Sequence, residues 1–166
     1  MARVLVVFDS RGGLIETLAQ GVAEGVESVK GATLRLLRID DATKQDLFAA
    51  DAIVLGSPNW TGITGKLKQW MDDQGDLWAE GQLRNKIGAA FTAGSSKSAG
   101  SEFTLLMLIH WMLAGGMIIA GLPWNEEMRT SGSYYGATAA GSIEPVDLEQ
   151  ARRLGRRVAE LALRLG

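Results

Sequence analysis

Five short apolar segments divide the chain. They cover residues 4–8, 32–37, 52–56, 87–91 and 117–120, and each is either β-branched or of mixed apolar composition. Short apolar runs of this kind are typical of buried strands in a parallel sheet. The pattern therefore predicts five strands.

Segments of helical length separate these strands. They lie near residues 14–29, 43–49, 64–73 and 101–114, and a last one lies near 146–165. Strict alternation of strand and helix indicates an α/β fold in which helices cover both faces of a parallel sheet. No linker and no run of charges divides the 166 residues, so we expect a single domain spanning residues 1–166.

The last predicted helix is amphipathic. Leu148, Ala151, Leu154 and Val158 recur at helical spacing, and four arginines occupy the other side: Arg152, Arg153, Arg156 and Arg157. We favour the interpretation that these arginines form a solvated face or a subunit contact, and the alternative is that they bind a phosphate.

Residues 103–119 are almost entirely apolar and approach the roughly 20 residues that a membrane-spanning helix requires. However, Gly115 and Gly116 end the helical pattern, and His110 interrupts its centre. No cluster of Lys or Arg flanks the segment closely on one side. A buried core helix followed by a strand is therefore predicted, with a membrane span as the minor alternative.

Composition narrows the possible functions. The chain has 17 Lys and Arg against 19 Asp and Glu, a formal charge of −2 that gives no general attraction to nucleic acid or anionic lipid. With no cysteine and a single histidine, neither a thiolate nucleophile nor a metal cluster is expected. We expect small-molecule partners and, because the N-terminus enters its first strand at once, a cytoplasmic location.

A glycine-bearing turn joins the first strand to its helix. Its residues are Ser10, Arg11, Gly12, Gly13, Leu14 and Ile15. Past the carboxyl end of a strand and at the start of a helix, free N–H groups and the helix dipole favour an anion. A phosphorylated cofactor is the first hypothesis, although Gly-Gly turns also occur for steric reasons alone.

Two more strand-to-helix loops are expected at the same edge of the sheet. One contains Pro58, Asn59, Trp60, Thr61 and Gly62, and the other begins with Thr92, Ala93, Gly94, Ser95 and Ser96. Trp60 is suited to stack on a flat ring, and small residues let the backbone approach a heterocycle. Each loop alone is also explained as a connector or as packing. Together the three predict a site for a nucleotide with a flat ring.

On these residues the chain resembles the flavodoxin-like NAD(P)H:quinone oxidoreductases first described as Trp-repressor-binding proteins. The resemblance rests on residues 2–7 followed by Ser10, Gly13, Ile15, Glu16 and Thr17, and on residues 51–58, 77–81 and 135–138. It implies the sheet order 2-1-3-4-5 and FMN bound without a covalent link. The phosphate would lie on residues 10–15, the ring against Asn59, Trp60 and Thr61, and its polar edge along residues 92–96.

The resemblance also implies a reaction. NADH or NADPH would reduce the flavin, which would pass two electrons to a quinone or similar acceptor without a side-chain acid or base. N–H groups near Gly94 and Ser95 would stabilise the charge of the reduced ring. Trp78 would form an aromatic wall in a neighbouring subunit's site, which implies a homo-oligomer, a dimer or a tetramer. A one-electron carrier and a non-catalytic flavin-binding protein are the alternatives.

Three positions depart from the family's pattern. Gly12 and Gly115 stand where the family often has an aromatic residue and a histidine. Three consequences are open: a more exposed flavin ring, room for larger acceptors, or poorer use of pyridine nucleotide. Arg11 adds a cation to the phosphate loop, where it either strengthens phosphate binding or points to solvent. His110 is expected to be packed or at an interface.

Overall fold

A parallel sheet of six strands forms the centre of the protein, and the computed structural model describes all 166 residues. The strands are β1 (Ala2–Phe8), β2 (Ala32–Arg38), β3 (Ala52–Pro58), β4 (Ile87–Gly94), β5 (Ile118–Ile119) and β6 (Gly136–Ala140). They lie in the order β2-β1-β3-β4-β5, and β6 also pairs with β4. The doubly wound parallel sheet and its predicted order are confirmed.

Two short strands share the position beside β4. β5 pairs with Ile87 and Gly88, whereas β6 pairs with the later part of β4, from Ala90 to Gly94. The apolar pattern did not reveal β6 because its residues are small. At Gly136, a Cβ would lie 1.9 Å from the carbonyl oxygen of Ala90, so the close approach of β6 to β4 requires glycine there.

Six helices surround the sheet. They are α1 (Gly13–Glu27), α2 (Lys44–Ala49), α3 (Gly65–Asp72), α4 (Gly75–Ala79), α5 (Ser101–Ala114) and α6 (Pro145–Leu165), with a 3-10 turn at Glu126–Arg129. Five of them match the predicted helices closely. The sequence did not predict α4 or the 3-10 turn, because neither is long enough to show helical periodicity.

The sheet separates two apolar cores. Val4 and Val6 of β1 face the core beneath α1 and α6, and the alternate residues Leu5 and Val7 face the core that α3 and α5 cover. Because both faces are covered, β1 and β3 are apolar along most of their length rather than alternating, with Arg3 and Ser57 as the exceptions.

The long apolar stretch is divided between α5 and β5, as predicted, and no helix is long and apolar enough to cross a membrane. One face of α5 is buried, while Phe103, Leu106 and Leu113 are exposed on the other. His110 is also exposed, so the expectation that it packs inside the chain is wrong. A place at an interface stays a prediction.

The arginines of α6 lie on the outer side of the helix, as its amphipathic pattern predicts. Arg152 pairs with Glu24 of α1 at 2.7 Å, and Arg153 lies 3.5 Å from Glu127. At the helix start, the Asp147 carboxylate accepts a hydrogen bond of 2.8 Å from the N–H of Glu144. The helix thus begins with a side-chain cap directly after β6.

Candidate functional site

A cavity of about 800 Å³ opens beyond the carboxyl ends of β1, β3 and β4. Its lining comes mainly from three loops, each of which follows one of these strands. The lining residues are Arg11, Gly12, Gly13, Leu14, Ile15, Pro58, Asn59, Trp60, Thr61, Ala93, Gly94, Ser95, Ala99 and Gly141. The chain leaves β1 toward β2 on one side and continues at β3 on the other, and such a reversal of strand order is where doubly wound sheets bind ligands.

Unpaired N–H groups surround the start of α1. No side chain caps this helix, and the N–H groups of Arg11, Gly13, Leu14 and Ile15 donate to no acceptor in the protein. A Cβ placed at Gly13 would meet no atom within 4 Å, so the space beside Gly13 is open. Several free donors at the positive end of a helix fit a phosphate group.

Gly12 explains how the turn exposes these donors. Its φ of 153° is a backbone conformation that L side chains rarely adopt. Its own N–H is held at 3.3 Å by the Ser10 hydroxyl oxygen, which accepts the hydrogen bond. An aromatic residue at position 12 would therefore need a different loop conformation.

A buried carboxylate supports the first loop from behind. Asp9 accepts a 2.9 Å hydrogen bond from the N–H of Ser10, and its other oxygen accepts one from the hydroxyl of Thr64. Thr64 is also the N-cap of α3, where it accepts a hydrogen bond from the N–H of Leu67. Asp9 thus ties the first loop to the helix that follows the second loop, a link that no sequence motif indicated.

Asn59 holds the second loop against the third. Its side-chain amide donates to the carbonyl of Ala99 at 2.6 Å, and its amide oxygen accepts from the Thr104 hydroxyl at 2.8 Å. Thr61 has a positive φ of 59°, which is uncommon for a β-branched residue. This conformation accompanies a Trp60 side chain that is 60% exposed beside the cavity. An exposed indole in a fixed loop is suited to cover a flat ring.

The third loop brings Ser95 to the cavity. β4 ends at Gly94, and the N–H groups of Ser95 and Ser96 have no partner in the protein. Fixed N–H groups of this kind stabilise negative charge on a bound ring without moving a proton.

Some predicted site residues lie outside the lining. Ser10 is buried behind the turn. The Thr92 hydroxyl donates a hydrogen bond of 2.7 Å to the carbonyl of Ser57, and this bond joins β4 to β3. Gly62 and Ser96 accept hydrogen bonds that close their own loops, from the N–H groups of Trp60 and Ala99. These four residues shape the loops and do not border the cavity.

Two lining residues were not expected. Gly141 follows β6, has a φ of 79° and donates its N–H to the carbonyl of Gly94 at 2.9 Å. It reaches the cavity only because β6 pairs with β4, which the apolar pattern did not predict. Ala99 lies late in the third loop, and the hydrogen bond from Asn59 holds it there.

Trp78 and Gly115 do not border the cavity of their own chain. Trp78 lies in α4 and is 44% exposed. Gly115 follows α5 at the amino-terminal edge of the sheet, where a Cβ would lie 3.2 Å from Leu83. Contrary to expectation, glycine at position 115 therefore does not open the cavity that a single chain forms.

Two of the groups with shifted pKa values also lie at that distant edge. The hydrogen bond from Arg3 lowers the pKa of the Asp51 carboxyl, and burial lowers the pKa of Lys86. Both residues directly precede strands, at the edge opposite the cavity. The lining itself contains no carboxylate and no imidazole, so the cavity offers N–H donors, an indole and one guanidinium.

The cavity combines N–H donors for a phosphate, an exposed indole and N–H donors for the polar edge of a ring. This combination defines a flavodoxin-like, mononucleotide-binding protein. Comparison with known proteins agrees. The family model "NADPH-dependent FMN reductase" matches residues 41–125. An NAD(P)H dehydrogenase (quinone) of Archaeoglobus fulgidus is 37% identical over 99% of this chain and 100% of its own. The chain belongs to the flavodoxin-like NAD(P)H:quinone oxidoreductase family, as its motifs predicted.

Other relatives lie in the same group. A flavodoxin of Aquifex aeolicus is 36% identical over 96% of this chain and 86% of its own. The crystal structure of a WrbA-like flavodoxin from Agrobacterium tumefaciens superposes over the whole of both chains with a TM-score of 0.79 and 28% identity. The fold and the family are therefore consistent along the full length of the chain.

Proposed function

We propose that this protein is an FMN-dependent oxidoreductase that passes two electrons from NADH or NADPH to a quinone. One observation carries the proposal: a single cavity has free N–H groups at the start of α1 and the exposed ring of Trp60. It thus suits a phosphate and a flat ring in the same ligand. The relatives named NAD(P)H dehydrogenase (quinone) and the matching family, NADPH-dependent FMN reductase, support this donor and this acceptor.

The residues of the cavity then have separate roles. The free N–H groups at positions 11 and 13–15 bind the phosphate, and Trp60 covers one face of the ring. The N–H group of Ser95 donates to its polar edge and offsets negative charge there. When bound, FMN supplies the hydride and electron chemistry. No lining side chain serves as an acid or base, because none can exchange a proton near neutral pH.

A one-electron carrier is the second candidate, because one relative named flavodoxin is 36% identical over most of both chains. Docking on redox partners usually relies on strong charge complementarity. The formal charge of −2 offers little of it, so the reductase is the better supported function.

The assay that tests the function mixes the FMN-reconstituted protein with NADPH or NADH and p-benzoquinone. We expect nicotinamide oxidation in many turnovers, with quinone and nicotinamide consumed in equal amounts, because both transfers involve two electrons. The control is the same assay with the apoprotein and no added FMN. A one-electron-reduced form that persists, with little quinone turnover, would favour the carrier. Failure to bind FMN would exclude both candidates.

We also propose a homo-oligomer in which Trp78 of one subunit borders the cavity of its neighbour. Trp78 is 44% exposed and unused by the cavity of its own chain. The outer face of α5 supports association, because Phe103, Leu106 and Leu113 are 67%, 41% and 56% exposed. Adjacent exposed apolar side chains of this kind often mark contacts between proteins.

A charge on this face of α5 should separate the subunits. For Leu106→Arg we expect a lower molar mass in light scattering and a fall in quinone turnover of about tenfold or more, since a buried unpaired charge disrupts an apolar interface. FMN affinity should stay unchanged. The matched control is Leu165→Arg, which alters another exposed leucine, at the end of α6. A monomeric wild-type protein with full turnover contradicts the proposal.

A further inference from the structure

Arg11 is the only charged residue among those that line the cavity. Its guanidinium lies 5.6 Å from the centroid of the Trp60 ring. It takes part in no salt bridge, whereas the nearby Arg38 lies 3.9 Å from Glu16 and donates to the carbonyl of Ser10. At an exposed site, a cation–π contact is weak and leaves the donors of the guanidinium free. The mouth of the cavity therefore holds one cation without an anionic partner.

The position of the guanidinium separates it from the phosphate donors. The backbone of Arg11 belongs to the turn before α1, but its side chain crosses to Trp60 of the second loop. The start of α1 already offers four free N–H groups to a phosphate. The guanidinium instead lies beside the indole, at the end of the cavity suited to the ring. A phosphate at the start of α1 therefore does not need the guanidinium, which is left to bind a second anion.

We propose that Arg11 binds a phosphate group of the nicotinamide dinucleotide donor, with Trp60 holding the guanidinium in position. This inference rests on the proposed function, in which that donor must approach the flavin ring. A guanidinium suits the task because it stays charged and donates two parallel hydrogen bonds to a phosphate. The phosphate is either the pyrophosphate, which NADH and NADPH share, or the 2′-phosphate, which only NADPH carries.

The test compares three donors in the FMN-loaded protein, with p-benzoquinone as acceptor: NADPH, NADH and reduced nicotinamide riboside, which has no phosphate. For Arg11→Ala we expect KM for a dinucleotide to rise about tenfold with kcat nearly unchanged, as for an interaction made equally in the ground and transition states. Arg11→Lys should restore part of the loss, because it keeps the charge without the planar fork. Arg164→Ala, which removes an exposed arginine in the last turn of α6, is the control.

The pattern across donors identifies the phosphate. A rise in KM for NADPH alone assigns the 2′-phosphate, and a rise in KM for both dinucleotides assigns the pyrophosphate. An equal rise for the riboside, or no rise for any donor, overturns the inference. A higher dissociation constant for FMN with no change in KM for the donors also overturns the inference, because Arg11 would then bind the cofactor phosphate.

Equilibrium binding keeps the inference separate from the proposed function. If the wild-type protein oxidises none of the donors, the proposed function fails, and calorimetry with NADP⁺ and the FMN-loaded protein decides the role of Arg11. Binding that is about tenfold weaker in Arg11→Ala supports the role. Unchanged binding, or none in the wild type, overturns it.

Discussion

Replacing Gly13 with aspartate is expected to weaken FMN binding by at least about 100-fold, because the new carboxylate would face the phosphate. At about 4 Å and an effective dielectric constant near 20, two like unit charges repel by about 4 kcal/mol, and partial exposure reduces this to about 3 kcal/mol. The carboxylate would also accept hydrogen bonds from the free N–H groups and compete with the phosphate for them. Titration of the apoprotein with FMN, followed by quenching of flavin fluorescence, measures the effect.

The loss should not arise from unfolding. A Cβ at Gly13 meets no atom within 4 Å, and an acidic residue in the first turn of a helix is favourable. Urea unfolding of the apoprotein should therefore show unchanged or slightly higher stability. Gly13→Asn, of equal size and without the charge, is the control and should keep most of the FMN affinity. Full FMN binding by Gly13→Asp would mean that the phosphate does not lie at the start of α1.

The largest stability effect is expected at the crossing of α1 and α6. A Cβ at Gly155 would lie 2.0 Å from the carbonyl oxygen of Val22, and one at Gly25 would lie 2.1 Å from that of Arg152. The two helices therefore touch through their backbones at these glycines. Gly155→Ala should destabilise the apoprotein by about 3 kcal/mol, because the helices must move apart and loosen the core beneath them. Urea unfolding measures this difference.

Whether Gly155→Ala lowers or raises the free energy of unfolding tests the contact between the two helices. In an open helical position, replacing glycine with alanine stabilises a protein by up to about 1 kcal/mol. Gly65→Ala provides that comparison, since a Cβ in the first turn of α3 meets nothing within 4 Å. We expect Gly65→Ala to be neutral or stabilising. If Gly155→Ala behaved in the same way, the close contact between α1 and α6 would not exist in solution.

The helices and strands were largely predictable from the sequence because their signals are local. Apolar runs identified β1 to β5, and periodicity identified all helices except the short α4. β6 was missed because its small residues fit a close approach to β4 rather than an apolar pattern. With β6 the sequence also missed Gly141, which reaches the cavity only through that pairing.

Residue type alone could not separate lining residues from supporting ones. Thr92 belongs to a loop sequence of small and hydroxyl residues, yet its hydroxyl bonds to Ser57 inside the sheet. Gly115 was expected beside the ring, but α5 runs back along β4 and carries it to the opposite edge. In both cases the direction of the chain in three dimensions decided the outcome.

By itself, the sequence determined the order of strands and helices, the position of the glycine turn at the start of α1 and the family to which the chain belongs. These follow from local periodicity, backbone freedom at glycine and the order of motifs. Only the tertiary structure decided which N–H groups stay unpaired, that Asn59 and Asp9 tie the loops together, and that Arg11 lies on Trp60. Those contacts depend on which strands become neighbours, and residues far apart in the chain make them.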